Sequence, residues 1–179
     1  MVFTHRIVNG FMTTLVRLPL LLVLCLCVVA PVAGAAGLEM ADRLVVRKSA
    51  RKLEVLAGNR LLRTMDIALG LAPTGHKVQE GDYRTPEGDY QLSERNAASD
   101  FFLSIRISYP NNDDESHARR LGKSPGGQIM IHGQPNAPKY SAEYYRSTDW
   151  TNGCIAVSNS DMVDLWLMTT PGTLIQILP

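Results

Sequence analysis

Apolar residues alternate with polar ones in several short runs after position 42, which is the pattern of half-buried β-strands. Three of these runs follow one another closely, as RLVVRKS, KLEVLAG and NRLLRTMDIALG from residue 43 onward. They are rich in branched apolar residues, and Ala57-Gly58-Asn59 supplies the residues of a hairpin turn between the last two runs. The pattern predicts the beginning of a β-sheet.

Three later runs extend this sheet. Residues 101–109, FFLSIRISY, alternate in the same way and end at Pro110, and GGQIMIHG over residues 126–133 predicts a strand that ends at His132. A closing strand is predicted from Thr173 to Leu178. Strand patterns therefore outnumber helix patterns along the chain.

The connecting segments carry turn and helix signals. Residues 72–89 are polar and rich in glycine and proline, which predicts a loop, and residues 134–150 are irregular and polar-aromatic. A short helix is predicted across residues 115–121 and a longer one across residues 160–168. The predicted fold class is a mainly β domain with one or two short helices.

The first 35 residues have a different composition. Two arginines precede an acid-free stretch, residues 18–30 are almost entirely apolar, and Ala33-Gly34-Ala35 places small residues where a signal peptidase cleaves. We therefore expect residues 1–35 to be a cleaved signal peptide that exports the domain of residues 42–179 to the periplasm.

An uncleaved inner-membrane anchor is the alternative for this segment. Residues 18–38 carry no charge, and a membrane span needs about 20 apolar residues. Pro19, Pro31 and the Ala/Gly tail fit a processed leader better than a stable helix. Either alternative places the domain outside the cytoplasm.

Charge and cysteine content narrow the class of protein. Without the leader the chain keeps 16 basic and 17 acidic residues, because the leader holds two Arg and no acid. This balance offers no basic field to recruit nucleic acid.

Cys25 and Cys27 lie in the leader, which leaves Cys154 as the lone thiol of an exported domain. A lone thiol cannot form an internal disulfide, so it is either a buried, inert small hydrophobe or a reactive group.

The residues around Cys154 favour the reactive alternative. A thiol with an ordinary pKa of about 8.5 is mostly protonated at neutral pH, so a nucleophilic cysteine needs a neighbouring imidazole. His132 lies 22 positions upstream, at the end of a predicted strand and before a glycine that lets another backbone approach. Gly153 permits an unusual backbone angle and leaves peptide N–H groups free for an oxyanion. We expect Cys154 to be the nucleophile and His132 its general base.

Residues just before the cysteine are candidates for substrate contact. Thr151 and Asn152 can position the oxyanion amides or touch the substrate, and Trp150 stands beside them. The aromatic residues of this loop either cover the substrate as a lid or platform or pack the loop onto the sheet. They are Tyr140, Tyr144, Tyr145 and Trp150.

The remaining histidines of the predicted domain, His76 and His117, lie in polar loops and are expected to be surface residues. Neither they nor His132 have a second cysteine or a carboxylate at ligand spacing. We therefore predict no metal site.

The signature of the L,D-transpeptidase (YkuD-like) catalytic domain family is His-Gly, a spacer, and Ser/Thr-His-Gly-Cys followed by an apolar residue. This chain resembles it, with His132-Gly133, a spacer of 17 residues, and Thr151-Asn152-Gly153-Cys154-Ile155. Upstream, Thr85-Pro86-Glu87-Gly88 with Tyr90 resembles the family's Thr-Pro-x-Gly-x-Tyr element. The resemblance covers residues 42–179.

The resemblance implies a β-sandwich fold and an enzyme without cofactor or metal. Its cysteine, here Cys154, would attack a peptide carbonyl of a peptidoglycan stem and form an acyl-enzyme, with His132 as base. Gly153 and Cys154 would contribute oxyanion N–H groups. The carbonyl region of Gly133 would orient the imidazole. The implied partners are peptidoglycan stem peptides and not nucleic acid.

Two departures from the signature bear on the reaction. Asn152 stands where the family usually has His, and Ala156 stands where many members have an Arg that can hold a substrate carboxylate. The variant WTNGCIAVSN resembles a subgroup similar to amidases that release proteins joined to diaminopimelate in peptidoglycan, for which a peptidoglycan-linked lipoprotein is a partner. Hydrolysis and transpeptidation share the acyl-enzyme, so both stay open. A catalytically inactive peptidoglycan-binding module is a third alternative.

Overall fold

The computed structural model of the chain describes residues 1, 2, 4 and 38–179. The chain divides into two compact units, Met1–Gly34 and Ala35–Pro179. The predicted signal peptide, residues 1–35, lies outside the described residues except at positions 1, 2 and 4, so it stays a prediction. Across the described residues, no helix has the length and apolar character needed to span a membrane.

The second unit contains eight strands and three helices in its described residues. Its elements are β1 Arg43–Arg47, β2 Lys52–Ala57, β3 Arg60–Asp66, β4 Gly88–Ser99, β5 Phe102–Ile107, α1 Asn112–Arg120, β6 Met130–His132, α2 Ala142–Ser147, β7 Ile155–Ala156, α3 Asn159–Met168 and β8 Leu174–Leu178. The mainly β fold class is confirmed. The described residues contain three helices, where the sequence predicted one or two.

The strands form one mixed sheet in the order β3-β2-β1-β8-β4-β5-β6-β7. β1 runs parallel to β8 and β6 runs parallel to β7, whereas the other neighbours are antiparallel. β4 joins the two halves, because residues 88–91 pair with β8 and residues 92–99 pair with β5. The architecture is consistent with the β-sandwich of L,D-transpeptidases that the sequence implied.

One apolar cluster holds the two halves together. In the central strand β1, three consecutive residues are buried, because neighbours cover both of its faces. The helix α3 contributes residues at the spacing of one helical face, Met162, Leu165 and Met168. The largest fully buried apolar residues of the strands are Leu44, Leu53, Leu92, Ile105, Ile107, Ile131, Ile155 and Ile175.

Two elements are not predicted by the sequence pattern. β4 begins inside the segment expected to be a loop. Much of its second half is polar and exposed, so that half shows no alternation of apolar and polar residues. α2 lies in the segment expected to be irregular; it has only six residues and begins where the Ser141 side chain accepts a hydrogen bond from the Tyr144 N–H. The helix expected across residues 115–121 also begins earlier, at Asn112, because Asn111 and Asp114 form a capping box.

Candidate active site

Cys154 lies at the end of a closed turn, residues 151–154, which we call the nucleophile turn. The hydroxyl of Thr151 donates to the carbonyl of Cys154 at 2.8 Å and accepts from the N–H of Gly153 at 3.1 Å. Thr151 is buried, so its side chain is committed to the shape of the turn. Of the two roles expected for Thr151, these contacts favour positioning the amides over contact with substrate.

Gly153 meets two requirements that another residue would not. Its φ of +123° lies in the left-handed region, and a Cβ there would stand 2.7 Å from the carbonyl oxygen of Arg84. The Gly153 N–H is engaged by Thr151, so it is not free for an oxyanion as the sequence led us to expect. The N–H of Cys154 makes no hydrogen bond to another described residue and is the better candidate for that role.

The nucleophile turn is held between two stretches of backbone. On one side β7 pairs with β6, with Ile155 opposite Ile131. On the other side residues 67–71 form two isolated bridges, from Ala68 to Ala156 and from Gly70 to Thr151. Hydrogen bonds of 2.8–3.1 Å close these bridges. The turn therefore has little freedom to move, which suits a rigid nucleophile.

His132 is the last residue of β6 and is 4% exposed. Its Nδ1 lies 2.7 Å from the carbonyl oxygen of Gly133. Because a carbonyl can only accept, Nδ1 carries the proton and Nε2 is left with the free lone pair. This is the contact that the resemblance implied for Gly133, and it leaves Nε2 as the basic nitrogen.

The surroundings keep both reactive groups neutral. Burial lowers the pKa of His132, and the hydrogen bond to the Gly133 carbonyl opposes this only in part. Burial raises the pKa of the Cys154 thiol, against the opposing effects of the Met130 backbone and the Lys77 charge. The thiol donates to the carbonyl oxygen of Gln128 at 3.6 Å. Both shifts favour the neutral thiol and the neutral imidazole over an ion pair.

These pKa directions predict a broad pH profile. The reactive form, a neutral thiol beside a neutral imidazole, should persist below pH 6.5, the ordinary pKa of histidine, and above the ordinary pKa of a thiol. We expect the acid limb of kcat/KM to lie below 6.5, and alkylation of Cys154 by iodoacetamide to reach half its maximal rate at a higher pH than N-acetylcysteine. An acid limb above 6.5 would contradict a neutral base.

His132 and Cys154 line the same cavity, with a volume of about 340 Å³. The other lining residues are Ser99, Phe101, Ser104, Gln128, Met130, Trp150, Thr151 and Asn152. Every predicted catalytic or substrate-contacting side chain therefore lies at this cavity, which we call the site pocket. Gly133 and Gly153 are not lining residues themselves, but their chain neighbours His132, Asn152 and Cys154 are. A larger cavity of about 890 Å³, near His76 and Asp114, contains neither His132 nor Cys154.

Five lining residues of the site pocket were not predicted from the sequence: Ser99, Phe101, Ser104, Gln128 and Met130. Of these, Phe101 and Ser104 lie beside His132. The ring of Phe101 lies 4.7 Å from the ring of His132, and Trp150 approaches the same imidazole edge-on at 5.5 Å. Ser104 stands opposite His132 in the antiparallel register of β5 and β6 and is buried. Ser104 occupies a polar position of the alternating strand over 101–109, opposite in direction to the core residues Ile105 and Ile107, so the sequence pattern carried no signal for it.

The aromatic residues before the cysteine pack mainly against one another. Tyr145 is buried, its ring lies 5.1 Å from that of Trp150, and its carbonyl accepts from the Trp150 indole N–H at 3.1 Å. Tyr140 is exposed, with its ring 4.4 Å from that of Tyr144. Packing therefore accounts for Tyr145, while Trp150 also faces the site pocket. Asn152 is exposed at the edge of the pocket.

The element Thr85-Pro86-Glu87-Gly88 packs next to the nucleophile turn, outside the site pocket. The buried Lys48 ammonium donates to the Thr85 carbonyl at 2.9 Å and to the Glu87 carboxylate at 2.8 Å. The Thr85 hydroxyl accepts from the N–H of Gly70 at 3.4 Å, and a Cβ on Gly70 would stand 3.0 Å from the Cα of Gly153. The element thus reaches the nucleophile turn through the Thr85 hydroxyl and Gly70, and none of its side chains lines the site pocket.

The sequence led us to expect His76 on the surface, but its side chain makes two contacts inside the fold. It is partly buried, its Nδ1 accepts from the Glu87 N–H at 3.0 Å, and its Nε2 lies 3.1 Å from the Asp114 carboxylate. His117 is exposed. Within residues 38–179, no three His, Cys, Asp or Glu side chains are grouped so that they could hold a metal.

Comparison with known proteins identifies the family. The family model of the L,D-transpeptidase catalytic domain, YkuD, matches residues 41–177. The chain belongs to this family. None of the curated proteins matches the chain. The signature residues His132-Gly133 and Thr151–Ile155 therefore lie in an L,D-transpeptidase domain.

Several solved structures share this fold. Pgp2 of Campylobacter jejuni, described as a helical cell shape determining protein, has 24% identity and a TM-score of 0.58, over 78% of this chain and 48% of that one. Bd1075 of Bdellovibrio bacteriovorus has 24% identity and a TM-score of 0.54, over 79% and 51%. An L,D-transpeptidase from Mycobacterium smegmatis has 14% identity and a TM-score of 0.52, over 78% and 59%. The chain spans about half the length of the first two proteins.

Proposed function

We propose that this L,D-transpeptidase domain is an exported cysteine acyltransferase that acts on peptidoglycan stem peptides through an acyl-enzyme on Cys154. The observation that carries the proposal is that Cys154, on a closed and rigid turn, lines one pocket of about 340 Å³ together with His132, whose Nδ1 is held by the Gly133 carbonyl and whose Nε2 keeps its lone pair. Family membership supports the reaction class. The apolar leader supports export to the periplasm.

The first half of the reaction transfers the acyl group to sulfur. Nε2 of His132 takes the proton of the Cys154 thiol as the sulfur attacks a peptide carbonyl carbon of the donor stem. The carbonyl oxygen becomes an oxyanion, which the free N–H of Cys154 can bind. The carbon–nitrogen bond then breaks, and the imidazolium returns its proton to the leaving amine. The product is a thioester on Cys154.

The Gly133 carbonyl matters most while the imidazolium exists. Its hydrogen bond with Nδ1 becomes charge-assisted when Nε2 gains the proton, so it stabilises the charged intermediate more than the resting imidazole. Burial opposes this charge in the resting state. The proton therefore moves to His132 only as the sulfur attacks, which limits side reactions of an exported thiol.

The second half decides between two products. An amine of a second stem that attacks the thioester gives a new crosslink, whereas water gives hydrolysis. The second candidate function is an amidase that releases a protein, such as a lipoprotein, from diaminopimelate. Ala156 favours this candidate, because a small buried residue stands beside His132 where many relatives have an Arg.

Mass spectrometry of products tests the proposal. We expect the purified domain of residues 36–179 to convert muropeptides into crosslinked or exchanged products, and Cys154→Ala to abolish this conversion. A covalent adduct of the donor stem on the wild-type chain, gained with loss of the leaving group and absent from Cys154→Ala, should mark the acyl-enzyme. The His117→Ala variant, altered at an exposed residue outside the site pocket, keeps both reactive groups and should still form the adduct.

The same experiment separates the alternatives. Release of free protein from protein-linked stems, with water as acceptor and no new crosslinks, would establish the amidase. Binding of muropeptides without any Cys154-dependent product would establish the inactive binding module and contradict the proposal.

A further inference from the structure

Asp149 lies two residues before the nucleophile turn, and its carboxylate accepts hydrogen bonds from two directions. The backbone N–H of Leu69 donates to Oδ1 at 2.8 Å. The Arg51 guanidinium donates from Nε to both oxygens at 3.1 Å and from Nη2 to Oδ2 at 2.6 Å. A planar guanidinium that meets both oxygens fixes orientation as well as charge.

The Arg51 end of this ion pair is itself held in place. Arg51 lies between β1 and β2 with a φ of +53°, an uncommon conformation for a residue with a side chain. Its N–H donates to the Lys48 carbonyl at 3.2 Å, and its carbonyl accepts from the Ile67 N–H at 3.1 Å. Its guanidinium also donates to the Lys48 carbonyl. A strained residue with this many bonds persists only where its surroundings hold it.

Leu69 connects Asp149 to the nucleophile turn through its two backbone hydrogen bonds. While the Leu69 N–H donates to Asp149, its carbonyl accepts from the N–H of Thr151 at 3.1 Å. Thr151 in turn holds the Gly153 N–H and the Cys154 carbonyl through its hydroxyl. A displacement of Asp149 is therefore passed through two hydrogen bonds to the residue that shapes the turn.

We propose that the Asp149–Arg51 ion pair is a positioning device that sets the geometry of the nucleophile turn and so the reactivity of Cys154. The inference rests on the proposed role of Cys154 as nucleophile. An ion pair at this degree of exposure, 37% for Arg51 and 19% for Asp149, contributes little to stability by charge alone. Its effect is on geometry, because misplacement of a reacting group by about 1 Å can cost a factor of about 100 in rate.

The test compares two matched ion pairs. Asp149→Asn weakens the positioning pair, whereas Glu54→Gln weakens the pair Arg47–Glu54, which is 3.0 Å long, similarly exposed and not part of the site pocket. For each variant we would measure kcat and KM with muropeptides, the pH dependence of Cys154 alkylation, and the unfolding temperature. Arg51→Lys and Arg51→Gln complete the series.

We expect Asp149→Asn to lower kcat by about 10- to 100-fold with KM changed less than twofold. The midpoint of alkylation should move to lower pH, because a loosened turn lets water reach a thiol whose pKa burial had raised. Arg51→Gln should cause the same loss of kcat and the same shift of the alkylation midpoint, and Arg51→Lys should cause smaller changes. Glu54→Gln should resemble the wild type.

A lower unfolding temperature for Asp149→Asn with unchanged kcat and unchanged alkylation would overturn the inference, since the pair would then serve stability alone. Alkylation needs no substrate, so it distinguishes this failure from failure of the proposed function. In the latter case the wild-type chain gives no Cys154-dependent product, but the alkylation midpoints still differ between Asp149→Asn and Glu54→Gln.

Discussion

Replacing His132 with alanine is expected to lower kcat for acyl transfer by about 10²- to 10⁴-fold, the usual contribution of a general base. The reason lies in the resting state of the site. Burial raises the pKa of Cys154, so without an acceptor almost no thiolate forms at neutral pH. Steady-state kinetics with muropeptides measures the effect.

The pH dependence of the variant gives a second readout. Its residual activity should rise with pH until the thiol ionises without help, whereas the wild type should already be on its plateau. His117→Ala is a matched control, because His117 is exposed and lies outside the site pocket. A loss of less than about tenfold for His132→Ala would assign the base to another group.

Replacing Gly70 with alanine should have the largest effect on the fold around the site. An added Cβ would lie 2.0 Å from the carbonyl oxygen of Tyr83 and 3.0 Å from the Cα of Gly153, and both neighbours are backbone atoms that cannot rotate away. Overpacking of this kind typically costs about 1–3 kcal/mol and sometimes more. We expect the free energy of unfolding to fall by at least this amount, as measured by urea denaturation.

Gly127→Ala is the control for this change. Its added Cβ would meet only Pro110 Cδ, at 4.0 Å, and Gly127 does not have a positive φ. The substitution should be neutral or should stabilise the fold by about 0.4–1 kcal/mol, because alanine restricts the unfolded chain. Because Gly70 touches the nucleophile turn, Gly70→Ala should also lower kcat. Equal unfolding free energies for the two variants would contradict this prediction, because the backbone of residues 67–71 would then make room for the added Cβ without a cost in stability.

Local patterns predicted most of the sheet correctly. The hairpin turn at Gly58 and Asn59, the strand that ends at His132 and the closing strand all depend on residues adjacent in sequence. β4 was missed because its buried apolar residues, Tyr90 and Leu92, lie only in its first half, while most of its second half is polar or exposed. α2 was missed because it is short and its sequence is mainly polar and aromatic.

The sequence by itself determined the family resemblance and predicted Cys154 and His132 as the reactive pair, because a histidine at a strand end and a glycine before a cysteine are local features. Only the tertiary structure decided which atoms are available for chemistry. It commits the Thr151 hydroxyl and the Gly153 N–H to the turn, and it brings Phe101 and Ser104 against His132. It also joins Arg51 to Asp149 across 98 positions. Such contacts depend on how distant strands and loops pack, and the periodicity of one segment carries no information about its partner.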